Sequence, residues 1–306
     1  MVKREAGVFK RITEYRALLL MLLPGVVFFV VFNYIPMYGI LIAFKDFRIT
    51  EGILKSPWVG FKYFYKAFSD PYFFVVLKNT VIISLMKLVC GFPVPIIFAI
   101  LLNELTHGRF KKIVQTVSYM PYFLSWIILG GIFINILSLE GPVNQFLSLF
   151  GFEPRIFLAD PKIFKTILVI TDVWKGFGWG SVIYLAALSG LDIEIYEAAV
   201  IDGCGRLKRI FHITIPSIIP VIVILLILSC AGILSAGFDQ IFNLYNSMVM
   251  NVADIIDTYV YRKGLVDMDY SYSTAVGIFK SLVGMVLILV TNKIANRYGG
   301  KGYGLW

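Results

Sequence analysis

Three charges and five aromatic rings stand out within the apolar stretches of this chain: Lys87, Asp172 and Lys175, with Tyr119, Tyr122, Trp126, Trp174 and Trp179. A charge held in hydrocarbon costs several kcal/mol unless it is paired or wetted. Asp172 and Lys175 are three residues apart, so they can meet on one helix face; Lys87 with Asp172 is the other pairing open to them. Alternatively the three line a wet cavity for a polar solute. Flat rings beside polar groups suit the C–H faces of sugars, and Trp174, Phe177 and Trp179 alternate with Gly176, Gly178 and Gly180. The same glycines also permit close helix packing, with the aromatics turned to lipid or to neighbouring helices. Either chemistry is binding rather than bond making. His107 and His212 are the only histidines, and no Ser-His-Asp set, carboxylate pair or His-Glu-x-x-His run accompanies them. No catalytic or metal-ligating residue is expected. Cys90, Cys204 and Cys230 lack a Cys or His at ligand spacing and are read as small packing residues without a disulfide.

The elements that position these side chains follow from hydropathy. Hydrophobic residues make up 58% of the 306 and charged ones 15%, where a soluble domain carries about a quarter charged. The mean hydropathy of +0.81 calls for a bilayer rather than a water-shielded core. Stretches 17–44, 74–103, 113–139, 164–190, 213–237 and 275–296 each exceed the roughly 20 helical residues that cross a hydrocarbon core. Pro24, Pro36, Pro93 and Pro95 fall inside them, which predicts a bent, packed bundle. The first stretch is longer than a signal-peptide core and no small-residue cleavage site follows it, so it is expected to remain as an anchor. No internal repeat or low-complexity tract is visible.

Orientation comes from the connecting segments. With the N-terminus inside, segments 1–16, 104–112, 191–212 and 293–306 hold 14 Lys+Arg in 61 residues, against 9 in 90 for segments 45–73, 140–163 and 238–274. Basic residues concentrate on the cytoplasmic side, so both termini are expected there. The five in 45–73 run against the trend. The net charge of +9 is scattered in short clusters, which fits this asymmetry and not a nucleic-acid partner. Segment 45–73, with Trp58, Phe61, Tyr63, Phe64 and Tyr65, and the amphipathic run 254–264 look interfacial or partner-facing.

One inner segment is distinctive. From Asp192 to Asp202 a short helix is expected, with small Ala198 and Ala199 permitting close approach by another surface. Gly203 and Gly205 allow a sharp redirection. A second short basic and apolar helix is then expected to reach Pro216, where the fifth span begins. Such a knob at a membrane's inner face can seat in a partner's groove.

This segment resembles the EAA loop of binding-protein-dependent ABC importer permeases. The family pattern is Glu-Ala-Ala, three residues, Gly, nine residues, Ile, one residue, Leu-Pro. Glu197, Ala198, Ala199, Gly203, Ile213 and Pro216 fall at those spacings, with Asp202 beside the glycine and Ile215 in place of the leucine. The runs Tyr34-Ile35-Pro36-Met37-Tyr38-Gly39-Ile40, Ala43-Phe44-Lys45-Asp46 and Phe238-Asp239-Gln240-Ile241-Phe242 are similar to the sugar-importer branch, and to complex-oligosaccharide permeases common in Gram-positive bacteria. The resemblance implies an all-α membrane protein of the type I importer fold: a cytoplasmic segment 1–16, a six-helix permease domain 17–296 with its coupling loop at 191–216, and a tail 297–306. It also implies partners: a second permease, usually as a heterodimer, two ATP-binding subunits, an extracellular sugar-binding lipoprotein, membrane lipid and an oligosaccharide substrate. ATP and Mg would sit on the ATPase, since the chain has no Gly-x4-Gly-Lys-Ser/Thr phosphate loop. Import of another small polar solute is the nearest alternative. An ion-coupled carrier, which would use an ionisable pair near the midplane, is the more distant one and leaves the coupling loop without a purpose.

The orientation predicts accessibility. In a Cys-free background in intact cells, cysteines placed at 109 and 301 should resist an impermeant thiol reagent, and cysteines at 58 and 246 should react. Ready labelling at 109 would invert the topology.

Overall fold

The computed structural model describes residues 15–299, so most of the two terminal segments lies outside the described residues. The described residues are helical apart from turns and one isolated antiparallel bridge between Lys45 and Trp58. Four helices are long and apolar enough to cross a membrane: α1 (Arg16–Phe44), α2 (Pro71–Asn103), α7 (Arg206–Cys230) and α10 (Tyr270–Gly299). Between α2 and α7 lie α3 (Gly108–Phe123), α4 (Trp126–Ile136), α5 (Phe164–Ser189) and α6 (Ile193–Ile201). Several short helices separate α7 from α10, among them α8 (Phe238–Leu244) and α9 (Ile256–Tyr261).

The third apolar stretch is not one helix, contrary to the expectation for 113–139. It breaks between Phe123 and Trp126, where α3 and α4 meet at 101°. Pro121 tightens the end of α3 into a 3-10 turn, and Ser125 begins α4 by accepting the Ile128 N–H at 3.3 Å. The fourth stretch is a continuous helix of 26 residues, about 39 Å long at 1.5 Å per residue. The fifth also differs from expectation. The second coupling helix and the span form one helix, running from Arg206 past Pro216 and Pro220. A proline lacks the N–H donor and crowds the carbonyl one turn earlier. Here a widened π turn at Ile210–Thr214 directly precedes Pro216, so the helix absorbs the defect without breaking. The same device, a π turn at Val30–Tyr34, precedes Pro36 in α1.

Three clusters of buried apolar side chains succeed one another along the bundle. Phe73, Val76, Ile256 and Tyr259 mark the first, Ile83, Phe164, Leu168 and Ile241 the second, and Ala99, Tyr184, Leu188 and Ile218 the third, next to α6. By contrast, α1 buries nothing between Arg16 and Tyr34. An apolar helix left bare by its own chain is stable only against hydrocarbon or another protein.

Beyond the first cluster, the segments flanking α2 and α10 are tied by polar contacts. Asp70 caps α2 by accepting the Tyr72 N–H at 2.9 Å, and its second oxygen accepts from Tyr259 at 2.8 Å. Asp254 is fully buried and accepts from Tyr72, Thr258 and Arg262, the last at 2.5 Å. Tyr63 donates to Asp46; burial and that hydrogen bond push its hydroxyl up to about 12, and the same bond lowers the Asp46 carboxyl. The run 254–264 is thus held in place by buried polar contacts. Three of the basic residues in 45–73 have partners: Lys45 on the nearby carbonyls of Ile53 and Leu54, Arg48 on Glu51, and Lys66 on the distant Asp269.

The glycines of α5 divide by role. A Cβ at Gly178 would overlap the Ser118 carbonyl of α3, and one at Gly180 would lie 3.2 Å from Pro95 of α2, whereas Gly176 has nothing within 4 Å. Gly178→Val should therefore force α3 off α5 and destabilise the bundle by about 1–3 kcal/mol, read as a lower melting temperature in detergent. Gly176→Ala, the internal control, should leave it unchanged.

Candidate functional site

A cavity of about 620 Å³ opens between α2, α5 and α7, walled by apolar side chains and a few polar groups, among them Ser84, Lys87 and Asp172. Ser84 and Lys87 are three apart on α2 and so share a face; the Ser84 hydroxyl is buried and unbonded among the described residues. Lys87 is satisfied from three directions. It donates to the Ala236 carbonyl at 2.8 Å, to Asp172 Oδ1 at 3.2 Å and to Gln240 Oε1. Gln240, fully buried, passes the chain on by donating to the Leu168 carbonyl and to Thr171, both at 2.7 Å. The side chain of Lys87 is 10% exposed and that of Asp172 38%. The carboxylate is therefore the member of the pair that reaches the cavity.

The turn held by Lys87 is unusual. Ala236 has φ +43°, a left-handed conformation that costs a residue with a Cβ about 1–2 kcal/mol. Gly237 follows at φ +90°, and a Cβ there would sit 2.6 Å from the Lys87 nitrogen. The lysine thus clamps the break at which α7 gives way to α8.

The eight candidates for a substrate path do not form one wall. Lys87 and Asp172 line the cavity. Lys175 lies one turn along α5 but makes no ion pair with Asp172; it donates to the Tyr122 carbonyl at 2.7 Å, at the break between α3 and α4. Its ammonium sits 5.1 Å from the Tyr122 ring and 5.7 Å from that of Trp126, which packs against the second apolar cluster. Trp179 stacks on Tyr122 at 5.2 Å and meets Tyr119 edge-on at 6.5 Å. Trp174 meets Phe133 of α4 edge-on. The six therefore cluster where α5 meets α3 and α4, and the cavity takes Gly176 and Phe177 instead.

The second site is the turn after α5. Asp192 caps α6 by accepting the Glu194 N–H at 2.9 Å, and α6 leaves α5 at 74°. Its far end closes with paired bonds, Gly203 N–H to the Val200 carbonyl at 3.0 Å and Cys204 N–H to the Ala199 carbonyl at 2.8 Å. This is a Schellman closure, which needs a left-handed residue at its hinge. Gly203 supplies it with φ +74°, while Gly205 keeps an ordinary φ of −66° and starts α7. The Tyr196 hydroxyl meets Thr214 at 2.9 Å and staples α6 to the π turn. No residue of α6 is buried, and Ile201 is 85% exposed. Glu197 and Ala198 are exposed on this helix, Ala199 is half-buried, Asp202 ends it, and Ile213 and Pro216 lie on α7.

The arrangement has known counterparts. The sequence profile of the binding-protein-dependent transport system inner membrane components matches residues 91–299. The chain belongs to this family. It is a permease subunit of an ABC importer, with the helical fold of that class. Two proteins of Bacillus subtilis strain 168 are similar along nearly their whole length. The polygalacturonan/rhamnogalacturonan transport system permease YteP is 43% identical over 95% of this chain and 91% of its own. Protein LplB is 44% identical over 93% and 90%. Among solved structures, a bacterial ABC transporter that imports the acidic polysaccharide alginate superposes with a TM-score of 0.89 at 37% identity, covering 96% of this permease and 99% of that chain. A second structure of an alginate transporter, in complex with a periplasmic protein carrying an alginate pentasaccharide, gives 0.88 at 36% identity, covering 95% and 98%.

Sequence reasoning missed the clamp's other half. Gln240 stands in the sequence only within a family-like string, as an amide between Asp239 and the apolar pair Ile241 and Phe242. Ala236 offered no signal, because only its carbonyl takes part. The geometry predicts that Lys87→Met lowers the permease's melting temperature in detergent by several degrees, since Ala236 and Gln240 lose a donor and Asp172 its counter-ion. Asp172→Asn should preserve the fold, because an amide oxygen still accepts from Lys87. The double variant should stay as unstable as Lys87→Met; recovery to the wild-type value would mean that the ion pair alone matters.

Proposed function

We propose that this permease forms, with a second permease, the membrane path for an oligosaccharide delivered by an extracellular binding protein and driven by a separate pair of ATP-binding subunits. In this reading both termini and the α6–α7 turn face the cytoplasm, and ATP and Mg act on the partner ATPase. The observation that carries it is the uncovered knob of α6, capped at both ends, stapled to α7 and leaving nothing of its own chain over Ala198 or Ile201. A rigid helix so mounted transmits a push from a partner to α7, and through the Lys87 clamp to the cavity. Glu197, exposed beside the alanines, can anchor it by a charge-assisted hydrogen bond. An oligosaccharide is supported by the relatives' stated cargo, polygalacturonan and alginate. The Asp172 carboxylate, 38% exposed, also offers sugar hydroxyl groups an acceptor. Lys175, Tyr119, Tyr122, Trp126, Trp174 and Trp179 would then shape the path from the α3–α4 side.

Binding-protein-stimulated ATPase of the reconstituted importer, measured across a panel of oligosaccharides, tests the cargo; stimulation by none of them would overturn it. For coupling, a Cβ at Gly203 meets no atom within 4 Å, so its penalty is backbone strain alone, about 1–3 kcal/mol. Gly203→Val and Glu197→Lys should each reduce ATP-driven uptake at least tenfold with normal membrane insertion, and Gly203→Val should also weaken co-purification of the ATPase. Wild-type uptake by both variants would remove the coupling role.

A further inference from the structure

A second cavity, of about 410 Å³, lies at the α6 end of the bundle, among the ends of α2 and α5 and the start of α7. Its polar lining includes Asn103, Glu104, Ser189, Tyr196, Arg206 and Arg209. Two of these are committed elsewhere, Ser189 to the Leu185 carbonyl at 2.8 Å and Tyr196 to Thr214 at 2.9 Å. The other four side chains have no hydrogen-bond or ion-pair partner among the described residues. Arg206 and Arg209 are three apart on α7 and so share a face. A planar guanidinium offers a fork of donors that matches a phosphate, and two of them on one wall outweigh the single carboxylate of Glu104. The cavity sits where α2 and α5 end and α7 starts, which in the orientation proposed above is the headgroup side of the spans, and basic pockets between spanning helices there suit anionic headgroups.

We infer that this cavity is a binding site for a phosphate-bearing group, held by Arg206 and Arg209, whose adjoining hydroxyl or ammonium donors reach Glu104 and Asn103. Among membrane components that chemistry describes a phospholipid whose phosphate is followed by glycerol or ethanolamine. Because the cavity borders both α6 and the first turn of α7, its occupant props the knob from behind. The side of the membrane that supplies the lipid follows the orientation proposed above; the binding chemistry does not depend on it.

The test is native mass spectrometry of the delipidated, fully assembled importer titrated with phosphatidylglycerol, with phosphatidylcholine and inorganic phosphate as separate arms. Wild type should retain phosphatidylglycerol over phosphatidylcholine, whose choline has no donor for Glu104. Arg206→Gln with Arg209→Gln should weaken retention at least tenfold. Ser189→Leu, which fills the cavity and removes no charge, should do the same and serves if the double variant fails to assemble. Displacement of the lipid by millimolar inorganic phosphate would support the same phosphate site with a free source. Unchanged lipid affinity in both variants would overturn the inference. So would loss of the ATPase from the double variant with lipid retention intact, since the cavity would then belong to an acidic side chain of that partner. Failure of coupling by Gly203→Val would leave this readout untouched, so the two proposals fail separately.

Discussion

An ammonium in the middle of a hydrocarbon-facing bundle has to be surrounded by acceptors, and the way Lys87 meets that demand shapes the centre of this permease. Its acceptors come from α5, from the turn after α7 and from α8. One side chain of α2 therefore adds a polar tie between helices that also share the second and third apolar clusters. The left-handed pair at Ala236 and Gly237 is affordable only because the carbonyl it exposes is taken by a charge. Gln240 extends the demand one step further, to Leu168 and Thr171. Loss of the cation would leave several buried polar atoms unsatisfied at once, which costs more than any single bond among them returns.

The coupling proposed for this permease would pass displacement along the length of the bundle. Helix α7 is unbroken from the turn after α6 to the cavity because a π turn, not a kink, precedes its first proline. At one end it carries α6 through the Tyr196–Thr214 contact, and at the other it ends on the lysine-held turn. By contrast, α3 and α4 meet at a sharp break beside the aromatic cluster on α5. The bundle thus sets a continuous helix beside the cavity and a jointed pair on the side of α5 that carries the aromatic cluster.

Much of this was legible in the sequence, and for identifiable reasons. The bilayer imposes length and apolarity on every span, so the six stretches and their order could be read directly, down to the helix of 26 residues at 164–189. The coupling turn was equally plain, because its geometry is local: Asp192 caps, Gly203 takes the positive φ, and the bonds that close α6 join residues within five positions of each other. Local hydrogen bonding needs no knowledge of the rest of the fold.

What tertiary structure alone decided was partnership at a distance. Sequence left Asp172 a choice between Lys175 and Lys87. The choice fell to the residue 85 positions away, because Lys175 is drawn to the carbonyl at the α3–α4 break. Which aromatics face the cavity depended on the rotation of α5, and Gly178 sets that rotation by pressing against Ser118 of α3. The break at Phe123 and the continuity of α7 past Pro216 both turn on the local helix geometry around a proline, a 3-10 turn in one and a π turn in the other, which composition does not encode. Hydropathy fixes what a segment must avoid, namely water; only packing fixes what it touches.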